Sequence, residues 1–308
     1  MKWYRPVGAG LLCIASMLPT TALASEHLSD HEVVCLQQQN CLQYLQTELA
    51  KQPSKSNDWY KLQSYLLDFY FDKQQVTALR QLAEQLLQQE DNPVVLQAQL
   101  YFYYAKVLLQ QGERVRASEY ATLAGNKISA LFDGFGDPLR LVELANLQIS
   151  VQQFDRAEQT LLLAEGRYGK SHDPIFIFEL NTNKALLEDR RQQLGYATLY
   201  RQRALDAILP TGHSGKIVVA LGNLARTQQL QGQYEQARLH YLQALPYLKN
   251  GADDITRAVY LLRLAELSWQ QQDLDAGRQY FRQVQFVTLP SDSHRQLYQQ
   301  LTEQFARI

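Results

Sequence analysis

The sequence of 308 residues contains little glycine, proline or cysteine, and its charges almost cancel. With only 15 Gly and 9 Pro among many Leu, Ala and Gln residues, the composition favours helices over sheets. The formal net charge of -1 offers no basic surface for a nucleic-acid backbone, which argues against nucleic-acid binding. Hydrophobic residues make up 46% of the chain, which is enough for one large or two ordinary domains with buried cores.

Catalytic and cofactor-binding motifs are also lacking. The 6 histidines are scattered, and no Ser/His/Asp or Cys/His set is indicated by a motif. Paired carboxylates such as Asp253-Asp254 occur where helix starts or polar helix faces are expected, so capping and solvation explain them. We therefore predict a protein that is not an enzyme and has no cofactor.

The beginning of the chain has the pattern of a secretory signal peptide. Lys2 and Arg5 precede an apolar run from Val7 to Leu18, and the small-x-small pattern at 22–24 predicts cleavage before Ser25. An apolar run of about 12 residues is too short to cross a bilayer, which takes roughly 20. No later stretch is apolar enough to do so. The sequence therefore predicts residues 1–24 as a cleaved signal peptide and a periplasmic or secreted protein without stable membrane insertion.

Two cysteines, Cys35 and Cys41, would remain after this cleavage. An even number of cysteines in an oxidising compartment indicates a disulfide. In a continuous helix, six residues of rise separate the α-carbons by about 9 Å, which is beyond disulfide reach. The disulfide therefore predicts a helix break near Gln39-Asn40, whereas an unbroken helix would leave both thiols free.

The predicted mature N-terminus, Ser25-Glu26-His27, has the donors of a square-planar metal site. A free amine, two backbone amides and the imidazole of a third residue suit Cu(II) or Ni(II). A solvated chain end is the alternative, because such a peptide binds copper whether or not the cell uses it. We favour the solvated end and predict no metal site.

A repeat of 40 residues runs along most of the chain. When the sequence is stacked at this period, three columns of small residues appear, and small residues at fixed spacing allow paired helices to approach closely. The columns are Ala105, Ala145, Ala185, Ala225 and Ala265; Ala117, Ala157, Ala197, Ala237 and Gly277; and Ala124, Ala164, Ala204, Ala244 and Val284. The pattern predicts stacked helical hairpins, each of which buries one face on the next.

One repeat unit carries a resemblance to a known family. A first helix would end near Gly232, and a second would follow with apolar residues on one face at spacings of four and three. The chain here resembles the tetratricopeptide repeat (TPR) family through Leu221, Leu224, Ala225, Gly232, Tyr234, Ala237, Tyr241 and Ala244. The resemblance covers roughly residues 93–288 in five units. Because the period is 40 rather than about 34, it is closer to the long-helix variants of the family.

The resemblance implies an all-α fold, a right-handed superhelical solenoid of antiparallel helix hairpins. We expect an N-terminal helical cap at 25–56 and the solenoid at 57–290. The solenoid would begin with a degenerate hairpin at 57–90 and continue with the five repeats. A helix at 291–308, with a polar outer face, would cap its end.

The resemblance also implies a binding groove lined by the first helix of each unit. Asn side chains can hold an extended peptide backbone, Arg and Lys can bind a carboxylate, and aromatic rings can anchor an apolar side chain. The groove residues predicted in this way are Phe102, Tyr103, Lys106, Asn146, Asn183, Asn223, Arg226, Arg263 and Trp269. We predict a non-catalytic scaffold that binds a protein or peptide partner, although a merely solvated inner face would show the same residues.

Two other functions are compatible with the same sequence. One is a ligand- or metal-sensing accessory protein of the periplasm, with its ligand in the groove or a metal at the N-terminus. The other is a structural component of an envelope assembly that is held by its outer face or its ends.

Overall fold

A computed structural model of the chain describes Cys35, residues 40–132 and residues 137–307. Within these ranges all regular elements are helical and none is a strand. The helices are α1 (Cys41–Lys51), α2 (Asn57–Asp72), α3 (Val76–Leu87), α4 (Val94–Gln110), α5 (Arg114–Phe132), α6 (Pro138–Ser150), α7 (Phe154–Tyr168), α8 (Pro174–Arg190), α9 (Leu194–Ile208), α10 (Ser214–Leu230), α11 (Tyr234–Ala244), α12 (Asp254–Gln270), α13 (Leu274–Phe281) and α14 (Asp292–Ala306). The predicted signal peptide and the predicted metal-binding N-terminus lie outside the described residues.

The described residues form two compact units, which we call the N-terminal unit and the C-terminal unit. The first ends at Arg167 and the second begins at Tyr168. In the N-terminal unit, α4 packs along α5; in the C-terminal unit, α8 pairs with α9, α10 with α11, and α12 with α13. Each unit is therefore built from antiparallel helix hairpins with its own apolar core, as an all-α TPR-like fold requires.

Six tight turns have the same backbone conformation. A residue with positive φ follows the first helix of a pair and closes the turn; these residues are Gln74, Gly112, Gln152, Gln192, Gly232 and Gln272. The amide of the next residue bonds to the carbonyl five residues earlier, as from Gln153 N to Gln148 O at 2.8 Å. This is the Schellman arrangement, which satisfies carbonyls that a helix end would otherwise leave unpaired. A second helix can therefore start directly after the turn.

The small residues of the three columns lie in the cores. All thirteen alanines are at most 2% exposed. Gly277 takes the place of an alanine in the second column because helix α14 packs closely there: a Cβ would lie 2.9 Å from the Phe305 ring. The glycine leaves room for the last helix to pack on α13, because a methyl group would require the aromatic ring to move.

The predicted disulfide joins Cys35 and Cys41, whose α-carbons are 4.6 Å apart. Asn40 between them has φ -119° and ψ 49°, outside the helical region, and α1 begins at Cys41. The helix is thus broken at Asn40, as the prediction required. Helix α1 buries Leu45 against Leu62 of α2.

Candidate functional site

Two groups of polar, charged and aromatic side chains lie on the first helices of hairpins and, in the C-terminal unit, also on the last described helix, α14; each unit has one group. The N-terminal cluster consists of Asp68 and Phe71 on α2, Phe102, Tyr103 and Lys106 on α4, and Arg140 and Glu143 on α6. The C-terminal cluster consists of Arg226 and Gln229 on α10, Arg263 and Glu266 on α12, and His294 on α14.

The centre of the N-terminal cluster is the ammonium group of Lys106, which lies over two aromatic rings. Its Nζ is 4.5 Å from the centroid of Phe102 and 4.8 Å from that of Phe71. Within the described residues, no acceptor forms a hydrogen bond with this ammonium, so cation–π contacts replace the usual carboxylate partner. Burial lowers the pKa of Lys106 to about 8, although the nearby carboxylate of Glu143 opposes the shift. Lys106 is therefore a desolvated cation with three donors still available.

The residues around Lys106 are fixed by hydrogen bonds and an ion pair. The buried hydroxyl of Tyr103 donates to Asp68 Oδ1 at 2.5 Å, and the buried amide of Gln99 donates to the same oxygen at 2.9 Å. Arg140 Nη1 is 2.5 Å from Glu143 Oε2 on the next turn of α6. Lys106 and Arg140 balance the charges of the two carboxylates when all four groups are ionised. Burial, however, raises the pKa of Glu143.

The C-terminal cluster is a chain of hydrogen bonds that leads from one arginine to another. Arg226 Nη1 donates to Gln229 Oε1 at 3.0 Å. Gln229 Nε2 donates to Glu266 Oε2 at 2.8 Å, and Arg263 Nη1 donates to the same oxygen at 2.8 Å. The buried amide of Gln229 therefore separates Arg226 from the carboxylate of Glu266, which Arg263 contacts directly.

The electrostatics of the C-terminal cluster follow from this separation. Burial, and then the neighbouring charge of Arg263, lower the pKa of Arg226. Burial is also the main cause of the lowered pKa of His294, with Arg263 and Arg226 adding to it. His294 is therefore neutral at pH 7, and the cluster carries two arginine charges against the single carboxylate of Glu266.

The structure brings five of the nine predicted groove residues into the two clusters: Phe102, Tyr103, Lys106, Arg226 and Arg263. The other four lie outside the clusters. Asn146 and Asn223 are half-buried on α6 and α10. Asn183 is only 1% exposed, and its amide donates to the backbone carbonyl of Glu179. The indole of Trp269 packs edge-on against Phe305 at 5.4 Å between ring centroids.

Three of these placements correct the expectation of a groove side chain open to a partner. Tyr103 is 5% exposed, and its hydroxyl is already bonded to Asp68. Asn183 is a core residue of α8. Its buried amide is satisfied by the carbonyl of Glu179 in the same helix. Phe102 is 1% exposed, so it cannot anchor a partner directly; its ring instead supports Lys106. The family resemblance indicates which face of a helix points inward, but not how deeply each side chain is buried there.

Seven cluster residues are not among the nine predicted groove residues: Asp68, Phe71, Arg140, Glu143, Gln229, Glu266 and His294. Asp68 and Phe71 lie on α2, before the small-residue columns begin, so the repeat could not predict which side of the helix they occupy. Arg140 had a usable signal, since an opposite charge three residues away on a helix indicates an ion pair. Gln229 and His294 had no sequence signal for their contacts.

The described residues show neither a metal site nor a membrane-spanning element. No group of three or more His, Cys, Asp or Glu side chains in this part of the chain is arranged to hold a metal ion. None of the described helices combines the length and the apolar character needed to cross a bilayer.

Solved structures similar to this chain are helical repeat proteins. The apo form of RapI has 14% identity and a TM-score of 0.63, and the match covers 89% of this chain and 82% of RapI. PilF of Pseudomonas aeruginosa has 16% identity, a TM-score of 0.55 and coverage of 80% and 97%. NprR in complex with its cognate peptide NprX has 12% identity, a TM-score of 0.57 and coverage of 90% and 81%. No protein-family model and no curated protein sequence matches the chain. At these identities the likeness establishes the TPR-like fold.

Proposed function

We propose that this protein is a non-catalytic scaffold that binds a protein or peptide partner along the first helices of its hairpins. The observation that carries the proposal is Lys106, whose ammonium is desolvated and has no hydrogen-bond acceptor among the described residues. Burying a cation without a hydrogen-bond acceptor costs free energy, which the cation–π contacts with the two rings offset only in part. A ligand that supplies the acceptors would recover that free energy on binding.

The surroundings of Lys106 favour the backbone of an extended segment as this ligand. With all four of its charged groups ionised, the N-terminal cluster is balanced, so it suits neutral acceptors better than an anion. The carbonyl groups of an extended chain are neutral acceptors spaced along a line, and an ammonium has three donors to offer them. Among the similar structures, NprR was solved with a bound peptide, which agrees with this use of the fold.

We also propose that the protein works outside the cytoplasm, after cleavage before Ser25. The charged start, the short apolar run and the small-x-small pattern support export. The Cys35–Cys41 disulfide agrees with it, because such bonds persist in oxidising compartments. Intact-mass measurement of protein purified from its own cells tests this directly. A mature chain that begins at Ser25 is expected, and a chain that retains residues 1–24 would contradict it.

Partner capture with a matched pair of lysine variants tests the binding function. Tagged wild-type protein is purified gently from the cell envelope, and bound chains are identified by native mass spectrometry. Lys106→Met should lose the partner, because the donors are removed while the volume of the side chain is kept. Lys61→Met is the control: Lys61 lies on α2, is exposed and, among the described residues, pairs with Asp58 alone. It should retain the partner.

The outcomes of this experiment separate the alternatives. A bound small molecule in place of a chain would contradict the scaffold and favour a ligand sensor. Equal capture by wild type and both variants would exclude the Lys106 face as the binding surface and favour a structural protein held elsewhere.

A further inference from the structure

In the C-terminal unit, Arg226 is a guanidinium without a carboxylate of its own. Among the described residues its hydrogen-bond partner is the amide oxygen of Gln229, a neutral acceptor. The nearby carboxylate, Glu266, is already shared by Gln229 and Arg263. Arginine has five N–H donors, so most of those on Arg226 remain available.

The neighbours of Arg226 show which ligand chemistry this place accepts. The neighbouring Arg263 pairs with one carboxylate, that of Glu266, at 2.8 Å. The cluster holds two arginines and a single glutamate, so one positive charge is in excess. One singly charged group neutralises it, whereas a doubly charged phosphate would leave a buried excess of negative charge. A planar carboxylate also matches the fork of a guanidinium.

The position of Arg226 is fixed before any ligand arrives. Gln229 is 5% exposed and has its oxygen on Arg226 and its nitrogen on Glu266, so both ends of the amide are occupied. Glu266 is held in turn by Arg263, whose side chain is 14% exposed. A guanidinium held in this way loses less conformational freedom on binding than one on a mobile surface side chain. Arg226 itself is half-buried, so part of its surface still reaches solvent.

We propose that Arg226 is a binding site for a carboxylate of the partner, held in place by Gln229 and the Arg263–Glu266 pair. The inference rests on the proposed scaffold function and adds the chemistry of the partner: an acidic segment that presents a carboxylate to α10. The carboxylate comes either from an acidic side chain or from a chain end, and the experiment distinguishes the two.

Titration with three short peptides tests the site in the full-length mature protein. The Nε–Hε signals of the arginines are followed by NMR, and the signal of Arg226 is assigned from its loss in Arg226→Gln. The first probe is hexaglutamate blocked at both ends, which presents only side-chain carboxylates. The second is hexaalanine with a free carboxyl end, and the third is doubly blocked hexaglutamine, which has no carboxylate. Ionic strength is held constant throughout, because exposed charges are screened by salt.

The Arg226 signal should shift with at least one of the two carboxylate peptides and stay in place with hexaglutamine. The active peptide identifies the source of the carboxylate. Arg226→Gln should weaken binding of that peptide at least tenfold. The matched control is Arg238→Gln on α11, whose arginine is half-buried, as Arg226 is, and pairs with the exposed Glu235. It should change binding less than twofold.

Three results would overturn the proposal: no shift of Arg226 with either carboxylate peptide at millimolar concentration, an equal shift with hexaglutamine, or an equal loss with Arg238→Gln. These results are independent of the scaffold function. If the Arg226 signal does not shift while partner capture still depends on Lys106, the carboxylate site is contradicted and the scaffold function is supported.

Discussion

The N-terminal and C-terminal clusters place a cation at the same column of the sequence repeat but hold it by different means. Lys106 and Arg226 are three repeat lengths apart. Lys106 lies on the faces of two aromatic rings, whereas Arg226 is held by the amide of Gln229. Neither has a carboxylate of its own within the described residues.

The difference concerns what each cation can respond to. The pKa of Lys106 is about 8, so its charge changes in mildly alkaline solution. Arg226 stays charged throughout the ordinary pH range even though burial lowers its pKa. The N-terminal cluster is therefore a donor that pH can switch off, and the C-terminal cluster is a permanent charge whose geometry depends on hydrogen bonds. Three changes to the chain test this contrast.

The largest effect is expected from Lys106→Met. At pH 7 the folded chain holds a desolvated ammonium that the unfolded chain leaves in water. Its removal should therefore raise the free energy of unfolding by up to roughly 3 kcal/mol, the equivalent of a pKa lowered from 10.5 to about 8. Urea denaturation of wild type, Lys106→Met and the surface control Lys61→Met measures it. A variant less stable than wild type would show that the aromatic contacts outweigh desolvation.

The pH dependence of the same variant has a definite sign. Between pH 8 and about pH 10, folded wild type binds fewer protons than the unfolded chain, so its stability should rise with pH. Below pH 8 Lys106 is protonated in both states, so it adds no pH dependence to the free energy of unfolding. Lys106→Met should lack the rise. A parallel rise in both proteins would assign it to another group.

A smaller effect, a loss of stability, is expected from Gly222→Ala. This variant tests how far the C-terminal unit depends on close contact between its helices. Gly222 lies one turn before Arg226, and a Cβ there would be 1.9 Å from the hydroxyl of Tyr260 on α12. That hydroxyl donates to Val218 O at 2.8 Å, so it has a bond to lose by moving. We expect destabilisation of about 1–3 kcal/mol and a displaced Arg226 signal in the NMR spectrum.

The control for Gly222→Ala is Gly195→Ala on α9, in the same unit. Among the described residues, no atom beyond the adjacent residues and backbone of its own helix lies within 4 Å of a Cβ at Gly195. Alanine there should be neutral or stabilising by up to about 1 kcal/mol, since it favours the helix. Similar losses in both variants would show that contact with Tyr260 is not the cause.

The smallest effect is expected from Phe71→Leu, which removes an aromatic face and keeps an apolar side chain. The cation–π contact favours the charged form of Lys106, so its loss should lower the pKa of Lys106 further, by an amount equivalent to about 0.5–1 kcal/mol. The rate of acetylation of Lys106 as a function of pH measures this value. Phe69→Leu on the same helix, a residue of the α1–α2 core, is the control. An unchanged pKa would mean that Phe102 alone supports the ammonium.

The sequence was sufficient for the fold class because its signals are local and repeated. Each alanine of the three columns is buried where two helices meet, so the columns report helix contacts directly. The disulfide followed from the even cysteine count and the reach of a disulfide, and Asn40 breaks the helix as expected. In both cases a short-range rule determines the structure.

The clusters were less predictable because they depend on contacts between distant residues. Phe102 lies on the expected helix, but its ring is covered by the ammonium of Lys106 and by the guanidinium of Arg140 on α6. The role of Gln229 exists only because α10 and α12 bring two arginines and one glutamate together. Such an arrangement leaves no pattern along a single helix.

The Schellman turns also determine how the chain can fold. Each turn is closed by a hydrogen bond between residues five apart, such as Gln233 N to Gln228 O at 2.9 Å. The helices that flank a turn are consecutive, so most contacts of a hairpin join residues near in sequence. Contacts of this kind are associated with fast folding, because little loop entropy is lost before they form. If the chain is exported through a narrow channel, a hairpin can therefore form as soon as its own two helices have emerged.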